Sequence, residues 1–334
     1  MKHNEKNGSA LGLDIGTSRI CLAQRGGEDY QFKTQLNAFV SLPYSRLTES
    51  VLKKEDIPHT VNGSEIVIHG NESEKFADLM NIDTRRTMNR GVLSSTEAES
   101  LSMIRQIIGS LVPATKEKQK LCFTVPSAPL GSEENLTYHE ATLRQILTDL
   151  GYEVKSINEG LAVVYAELES SNYTGIGVSC GGGLCNVCFS YLSIPVVSFS
   201  MPKAGDYIDS SAASMTGERA TRIRILKEDS FHLNGYFGDK IQQAIGVYYD
   251  EMIHALVAAM KDALKGARKM PKLNRPMPLV LSGGTALPSG FRDRFEAILK
   301  EQQFPMEVSE IRMSADPLHT AARGALVAAL TDMQ

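Results

Sequence analysis

Two glycine-rich turns mark equivalent points in the two halves of this chain. In the first half the apolar run Leu11–Ile15 is followed by Gly16-Thr17-Ser18 and by a returning run, Arg19–Gln24. In the second half a similar run precedes Gly181-Gly182-Gly183, and Val187–Ser190 returns. Short apolar runs joined by a tight glycine turn are typical of β-hairpins. The sequence therefore predicts a repeated plan in which a glycine hairpin opens each half.

Strand-like and helix-like segments alternate along the rest of the chain, which predicts an α/β fold. Apolar residues at helical spacing predict helices at about 96–111, 136–150, 161–168, 239–264 and 318–330. Gly151 follows the second of these helices, in the place of a left-handed C-cap. Buried strands are predicted at Leu121–Val125, Tyr152–Ile157 and Leu279–Leu281.

Length and composition predict two lobes with a sizeable core. The chain has 334 residues, of which 42% are apolar and 22% charged, as in ordinary globular proteins. We expect a polar N-terminal tail at 1–9, a first lobe at 10–170 and a second lobe at 171–334. The more polar stretch at about 33–90, which contains a further hairpin signal at Asn62-Gly63, is interpreted as a small subdomain inserted into the first lobe.

Charge, hydropathy and cysteine content argue against several classes of protein. The formal net charge of -4 does not favour a nucleic-acid partner, because such proteins usually carry an excess of lysine and arginine. No apolar run approaches the length of a membrane span, and we expect a cytoplasmic location. The five cysteines fit a reducing compartment, and Cys185 and Cys188 would point to opposite faces of a strand. Small apolar strand residues are therefore favoured over a metal site.

The glycine turns gain significance as a set. A single Asp-Ile-Gly-Thr is weak evidence, because glycine occurs in turns mainly for its backbone freedom. Two glycine hairpins that face each other could present backbone N–H groups to phosphates from both sides. A third glycine pair, Gly283-Gly284, follows a later strand and could pack against a flat base. The set predicts a clamp between two lobes.

Several stretches resemble the actin and heat-shock-chaperone ATPase superfamily, and most closely its MreB-like bacterial actins, including the MamK type. They are LGLDIGTSRICLA at Leu11–Ala23, FTVP at Phe123–Pro126, INEGLAVVYA at Ile157–Ala166, GVSCGGGLCNVCFS at Gly177–Ser190, LVLSGGTALPSG at Leu279–Gly290 and DPLHTAARGA at Asp316–Ala325. The resemblance covers about residues 10–330. It implies a two-lobed actin-like fold, a duplicated ribonuclease-H-like fold with a nucleotide cleft.

The resemblance also implies roles for individual residues. Asp14 would hold a hydrated Mg²⁺, and Glu159 would orient the attacking water, so these two are the expected catalytic residues. Contacts to ATP or GTP are expected from Gly16, Thr17, Ser18, Gly181, Gly182, Gly183, Gly205, Asp206, Glu218, Arg222, Gly283, Gly284 and Thr285.

The sequence also departs from the family pattern. Relatives usually carry an aspartate and a threonine where this chain has Ser179 and Leu184. One carboxylate near Mg²⁺ is then missing, and hydrolysis is expected to be slow. The stretch between Arg224 and Asp239 is short, which predicts that the small subdomain of the second lobe, at about 216–240, is reduced.

The expected function is that of a bacterial actin-like cytoskeletal protein that binds nucleotide with Mg²⁺ and polymerises into filaments of its own copies, with weak ATPase activity. Membrane attachment through residues 1–9 is not expected, because they contain no apolar stripe. One alternative is a non-polymerising scaffold or adaptor with this fold. Another is a small-molecule kinase, but a kinase needs a further catalytic aspartate beside an acceptor pocket, and none is apparent.

Overall fold

The structure is a computed structural model that describes residues 10–27, 29–94, 96–130, 136–267 and 275–331. The expected tail at 1–9, and with it any judgement on membrane attachment there, lies outside these residues. The strands, in chain order, are β1 Leu11–Ile15, β2 Arg19–Gly26, β3 Asp29–Leu36, β4 Ala38–Pro43, β5 His59–Asn62, β6 Glu65–His69, β7 Arg85–Arg86, β8 Met88–Asn89, β9 Val92–Leu93, β10 Lys120–Val125, β11 Glu153–Asn158, β12 Gly175–Cys180, β13 Cys185–Tyr191, β14 Ile194–Met201, β15 Met277–Ser282 and β16 Val308–Met313.

The α-helices are α1 Arg46–Lys54, α2 Glu72–Leu79, α3 Ser100–Leu111, α4 Thr137–Asp149, α5 Glu159–Glu167, α6 Gly205–Thr216, α7 Ala220–Asp229, α8 Lys240–Gly266, α9 Phe291–Glu301 and α10 Thr320–Thr331. The predicted helices and buried strands are all present, with bounds that differ by a few residues. Gly151 has a φ of +99°, as expected for a residue that ends a helix in the left-handed region.

Two five-stranded sheets share one topology. Their strand orders are β11-β10-β1-β2-β3 and, read in the matching direction, β16-β15-β12-β13-β14. Each strand of the second sheet therefore occupies the position of one strand of the first sheet. In both sheets the two strands of the glycine hairpin pair antiparallel, and the first of them also pairs parallel with a later strand. The predicted repetition of the plan is confirmed.

A smaller sheet, with the order β5-β6-β4-β7, carries α1 and α2 and starts at Ala38. The stretch 33–90 that the sequence marks as an insertion also includes the second half of β3, which pairs with β2 along its whole length. Exposed Gln31 and Lys33 alternate with half-buried Phe32 and Thr34, so this strand has one polar face. Its polar face explains why the sequence groups it with the insertion.

Two helices, α5 and α10, pack against each other between the sheets. They contribute Ala162, Val163, Ala322 and Leu326 to one buried cluster that also contains residues of both sheets. A Cβ at Gly324 would overlap the carbonyl oxygen of Ala162, so this close crossing requires glycine. The first sheet buries a second cluster under α3 and α4, and the second sheet buries a third under α6, α8 and α9.

The five cysteines are free and buried. Cys180 and Cys185 belong to the core of the second sheet, whereas Cys188 faces α5 and α10. Within the described residues, no group of three or more His, Cys, Asp or Glu side chains is placed to hold a metal ion. The described helices include none that is long and apolar enough to cross a membrane.

The division at about residue 170 falls on a single 3₁₀ turn, Glu169–Ser171, between α5 and β12. The part at about 216–240 consists of α7 and its flanking loops. Whether it is smaller than in related proteins stays a prediction, as do the lobe boundaries.

Candidate functional site

The turn between β1 and β2 is closed by its own backbone. The amide of Gly16 donates to the carbonyl of Arg19 at 2.9 Å, and the carbonyl of Gly16 accepts from Nδ2 of Asn37 at 2.9 Å. Oγ1 of Thr17 accepts from the amide of Gly91 at 3.0 Å. These bonds fix the shape of the turn and leave the amides of Thr17 and Ser18 without an acceptor in the described chain.

The turn between β12 and β13 faces the first turn directly. A Cβ built at Gly182 would lie 3.0 Å from Cβ of Ser18, and one built at Gly183 would overlap Oγ1 of Thr17. The carbonyls of Gly181 and Gly182 accept from the amides of Gly205 and Asp206 at the start of α6, at 3.1 and 2.8 Å. The second turn therefore directs its carbonyls towards α6.

Four amides of the two turns have no acceptor among the described residues. They belong to Thr17, Ser18, Gly182 and Gly183, and all four residues line the same cleft. Unpaired backbone N–H groups that converge on one space form an anion-binding concavity. The predicted arrangement, with one hairpin opposite the other, is thus present in the structure.

The space between the atoms of the cleft, together with the open solvent at its mouth, is about 940 Å³. The structure brings most of the sequence-predicted site residues to its walls, namely Asp14, Gly16, Thr17, Ser18, Glu159, Gly181, Gly182, Gly183, Gly205, Asp206, Gly283, Gly284 and Thr285. Thr285 joins two of these groups, because its Oγ1 donates to the carbonyl of Gly181 at 2.8 Å. Residues from both sheets therefore surround one space.

Asp14, in β1, is the first of the two carboxyl groups in the cleft that are the expected catalytic residues. Its Oδ1 accepts a hydrogen bond from Oγ1 of Thr124 at 2.5 Å. The same Oγ1 of Thr124 accepts from the amide of Ile15 at 3.2 Å. Burial raises the pKa of Asp14 to about 6, although the bond from Thr124 lowers it. The carboxyl group is fixed by the neighbouring strand β10.

Glu159 is the second carboxyl group and begins α5. Its two oxygens are held separately, since Oγ of Ser179 donates to Oε1 at 2.6 Å and Nδ2 of Asn186 donates to Oε2 at 2.7 Å. Burial and then the charge of Asp14 raise the pKa of Glu159 to about 8. Asn158 caps α5 through its side-chain oxygen, which accepts from the amides of Gly160 and Leu161. The cap fixes the helix start and with it the position of Glu159.

The donor set of the cleft suits a hydrated divalent cation. Burial raises the pKa of both Asp14 and Glu159, and a positive charge beside them would favour their ionised forms. Carboxylate oxygens are the preferred protein ligands of Mg²⁺, which keeps several waters and takes phosphate oxygens for its other positions. Asp14 lines the cleft, and its role in holding Mg²⁺ through water stays a prediction.

The cationic side chains that line the cleft are all paired with carboxylates. Arg19 pairs with Glu228, Lys227 with Asp209 at 2.6 Å and Arg224 with Glu74. Beside the cleft, Nη1 of Arg86 donates to Oδ1 of Asp206 at 2.6 Å. Three of these four pairs connect the part of the chain before residue 90 with α6 or α7. Ion pairs thus connect chain segments on different sides of the cleft.

The structure does not bring Glu218 and Arg222 to the cleft. These two residues pair with each other on the surface at 3.5 Å, with 38% and 57% of their side chains exposed. The same helix instead turns Arg224, Lys227 and Glu228 towards the cleft. The buried side of α7 contains Arg224 and Lys227, and Arg222 points elsewhere because a helix rotates by about 100° per residue. Contact of Glu218 and Arg222 with a nucleotide stays a prediction.

Sequence reasoning missed several residues of the site, among them Asn186, Thr124 and Arg19. Asn186 is completely buried between Cys185 and Val187 in β13, and a polar amide at such a position is the signal that would have marked it. Arg19 directly follows the first glycine turn. Thr124 has no comparable signal, because threonine is common in buried strands.

Comparison with known sequences assigns the chain to one family. A family model described as Volactin matches residues 9–329. A comparison with curated proteins finds no match.

Solved structures match over almost the whole chain. A structure described as a MamK double helical filament has 16% identity and a TM-score of 0.72, covering 95% of this chain and 97% of that chain. MreB 5 of Spiroplasma citri bound to AMPPNP has 15% identity and a TM-score of 0.69, with 98% of both chains covered. The ethanolamine utilization protein EutJ of Carboxydothermus hydrogenoformans has 15% identity and a TM-score of 0.54, covering 96% and 89%. At these identities the comparison establishes the fold, which is that of the actin-like ATPases.

Proposed function

The chain belongs to the Volactin family and has an actin-like fold, and on this premise we propose that it is a nucleotide-binding cytoskeletal subunit that assembles into filaments. The observation that carries the proposal is the pair of facing glycine turns. Four of their residues line the cleft that contains Asp14 and Glu159, and the amides of these four have no acceptor among the described residues.

The nucleotide phosphates lie, in this proposal, against the amides of Thr17, Ser18, Gly182 and Gly183. Backbone amides bind phosphate without a lysine, and the lining cations are already paired. The third glycine turn, with Gly283 and Gly284, borders the adenosine or guanosine side. The fold neighbour from Spiroplasma citri was solved with AMPPNP, which supports a nucleoside triphosphate as ligand.

Mg²⁺, when bound with the nucleotide, supplies positive charge to the phosphates, and Asp14 would hold it through water. Glu159 orients the attacking water, and Ser179 and Asn186 orient Glu159. A serine at position 179 brings a hydroxyl donor but no negative charge. The site therefore has one carboxylate fewer than a site with aspartate at this position to hold a cation and water. Slow hydrolysis of ATP or GTP follows.

Filament formation is proposed on two grounds, a filament among the structures of similar fold and the geometry of head-to-tail contacts between identical subunits. One structure of similar fold is itself a double helical filament. Identical subunits that join head to tail through two different surfaces produce an open polymer when the contact does not close into a ring. A scaffold that binds nucleotide without polymerising is the alternative that the assembly test below separates.

Thermal unfolding with and without nucleotide tests the binding part. ATP or GTP with Mg²⁺ should raise the melting temperature, because a ligand at about 100 times its Kd stabilises by about 2.7 kcal/mol. Asp14→Asn should abolish the part of the shift that depends on Mg²⁺. Asp262→Asn is the matched control, since Asp262 is exposed on α8 and away from the cleft. An unchanged shift in Asp14→Asn would remove this residue from the site.

Sedimentation and electron microscopy with each nucleotide test the assembly part. Filaments should pellet above a critical concentration and should be visible in negative stain. A protein that binds nucleotide with the expected Mg²⁺ dependence, yet stays monomeric at every concentration tested, would support the scaffold and overturn the filament proposal.

A further inference from the structure

Arg19 differs from the other cations that line the cleft. Lys227 and Arg224 are buried in their ion pairs, with 6% and 5% of their side chains exposed. Lys227 also donates to the carbonyl of Gly205 at 3.2 Å, which ties it to the backbone. The side chain of Arg19 is 32% exposed, as is that of its partner Glu228. Among the described lining residues, Arg19 is thus the cation that can change partners without breaking a buried pair.

Arg19 lines the cleft and approaches two of its glycine turns. Its backbone carbonyl closes the first glycine turn by accepting from the amide of Gly16. Its guanidinium crosses the cleft, where Nη2 contacts Oε2 of Glu228 in α7. A Cβ built at Gly284 would lie 3.7 Å from Nη1 of Arg19. The guanidinium therefore lies between the first glycine turn and the third.

We propose that Arg19 is a phosphate-binding residue of the cleft, which rests on Glu228 when the cleft is empty and transfers its hydrogen bonds to the nucleotide when one binds. This inference rests on the proposed nucleotide function. Its ligand is the phosphate chain of a nucleoside di- or triphosphate, and not the base.

The charges of the cleft support such an exchange. The pairs of Arg19, Lys227 and Arg224 are each neutral, and Asp14 and Glu159 add only acidic groups. A nucleotide adds further negative charge, which a released guanidinium would offset in part. Guanidinium matches phosphate with two parallel hydrogen bonds, a stronger arrangement than the single contact that Arg19 makes with Glu228.

Glu228 does not become an isolated buried charge when Arg19 leaves. Burial alone would raise the pKa of Glu228, but Arg19, Arg224 and Lys227 together lower it. Two of these three cations stay in place after the exchange. The carboxylate thus keeps a compensating environment, which is the condition for breaking a partly buried pair at low cost.

Two substitutions separate a phosphate ligand from a structural bridge, because they have opposite expected signs. Arg19→Gln removes the ligand, and calorimetric titration with ADP and Mg²⁺ should show affinity about 10-fold or more lower, the usual cost of a lost charged hydrogen bond. Glu228→Gln removes the competing partner and leaves Arg19 in place, so ADP should bind several-fold more tightly. If the Arg19–Glu228 pair only holds the cleft together, both substitutions break it. The ADP affinity of both variants would then fall.

Ligand and protein controls complete the experiment. Adenosine has no phosphate, so its affinity should be the same in Arg19→Gln and wild type. Arg19→Lys keeps the positive charge but loses the paired N–H donors of the guanidinium. Its ADP affinity should lie between those of wild type and Arg19→Gln. Arg294→Gln and Asp250→Asn break an ion pair of similar exposure on α8 and α9, with both side chains 41% exposed, and should leave ADP affinity unchanged. The melting temperature of each variant is recorded to confirm that it is folded.

The outcomes are distinguishable from a failure of the proposed function. A wild-type protein that binds neither ADP nor ATP overturns the proposed function and this inference together. If the wild type binds ADP, two results overturn the role of Arg19 alone. One is an unchanged ADP affinity in Arg19→Gln, and the other is an equal loss of ADP affinity and adenosine affinity in that variant. Weaker ADP binding in Glu228→Gln also overturns it.

Discussion

The hydroxyl of Ser179 donates a 2.6 Å hydrogen bond to Oε1 of Glu159. Ser179 lies near the end of β12 and Glu159 at the start of α5, so the contact joins the second sheet to a helix that follows the first. With Asn186 on the other oxygen, the carboxyl group is held in one orientation. The residue that stands in place of an aspartate is thus a partner of the expected catalytic residue.

Replacement of Glu159 should affect hydrolysis more than binding. Glu159→Gln keeps the shape of the side chain but removes the carboxylate that orients water, so single-turnover hydrolysis should fall by about 10²- to 10⁴-fold. The melting-temperature shift with ATP and Mg²⁺ should remain. Glu153→Gln, at an exposed position of β11, serves as the control. Unchanged hydrolysis in Glu159→Gln would show that another group positions the water.

Replacement of Ser179 by aspartate should make the protein dependent on Mg²⁺. A third carboxyl group beside Glu159 and Asp14 should destabilise the metal-free protein by roughly 1–3 kcal/mol, the scale for a poorly satisfied buried polar group. With Mg²⁺, the added ligand should raise the rate of hydrolysis above that of the wild type. Melting curves in EDTA and in Mg²⁺ measure the first effect, and single-turnover assays measure the second. Ser179→Ala removes only the hydrogen bond and should show no gain in either solution.

A methyl group at Gly183 should separate the two glycine turns. Its Cβ would overlap Oγ1 of Thr17 and lie 2.8 Å from the amide of Gly91, so Gly183→Ala should cost about 1–3 kcal/mol and weaken nucleotide binding. Gly109→Ala is the control, because Gly109 lies in α3 with no atom near its Cβ position. Alanine there should stabilise the helix by about 0.5–1 kcal/mol. Equal effects of the two changes on unfolding in urea would contradict the facing-turn geometry.

His139 should make the protein less stable in mild acid. The side chain is 2% exposed, and burial lowers its pKa from 6.5 to about 4. Its Nδ1 accepts from the amide of Leu93 at 3.2 Å, so Nε2 carries the proton of the neutral ring and has no partner in the described structure. Between pH 6.5 and 4 the unfolded chain binds a proton that the folded chain does not. Stability from this group is therefore complete above pH 6.5, decreases as the pH falls, and is lost by pH 4.

The size of the effect is at most about 3 kcal/mol, at about 1.4 kcal/mol per unit of pKa. His139→Gln keeps an acceptor for Leu93 and removes the titration. Asp14 and Glu159 have raised pKa values and contribute the opposite slope in both proteins, so the informative quantity is the difference between them. Urea unfolding of the two proteins at pH 7 and pH 4.5 gives this difference. Parallel pH profiles would show that folding does not lower the pKa of His139.

The sequence determined the elements of this protein and their repeated plan. Alternating apolar runs on both sides of Gly16 and of Gly181–Gly183 predicted the two hairpins, because strand period and turn chemistry are local properties. Apolar spacing predicted the long helix α8, and the glycine after α4 marked the end of that helix. The same local patterns, together with the family resemblance, indicated that the glycine turns and Asp14 belong to one cleft.

Only the tertiary structure decided which side chains complete that cleft. Arg19 meets Glu228 and Arg224 meets Glu74 across 209 and 150 residues of sequence, and no local pattern encodes such pairs. The buried side of α7 contains Thr221, Arg224 and Lys227 beside Ile223, whereas hydropathy assigns cations to the solvent side. Arg224 is buried here because a distant chain segment supplies the opposite charge, Glu74. The sequence can therefore locate such a helix, but the rotation of the helix about its axis depends on partners that folding brings together.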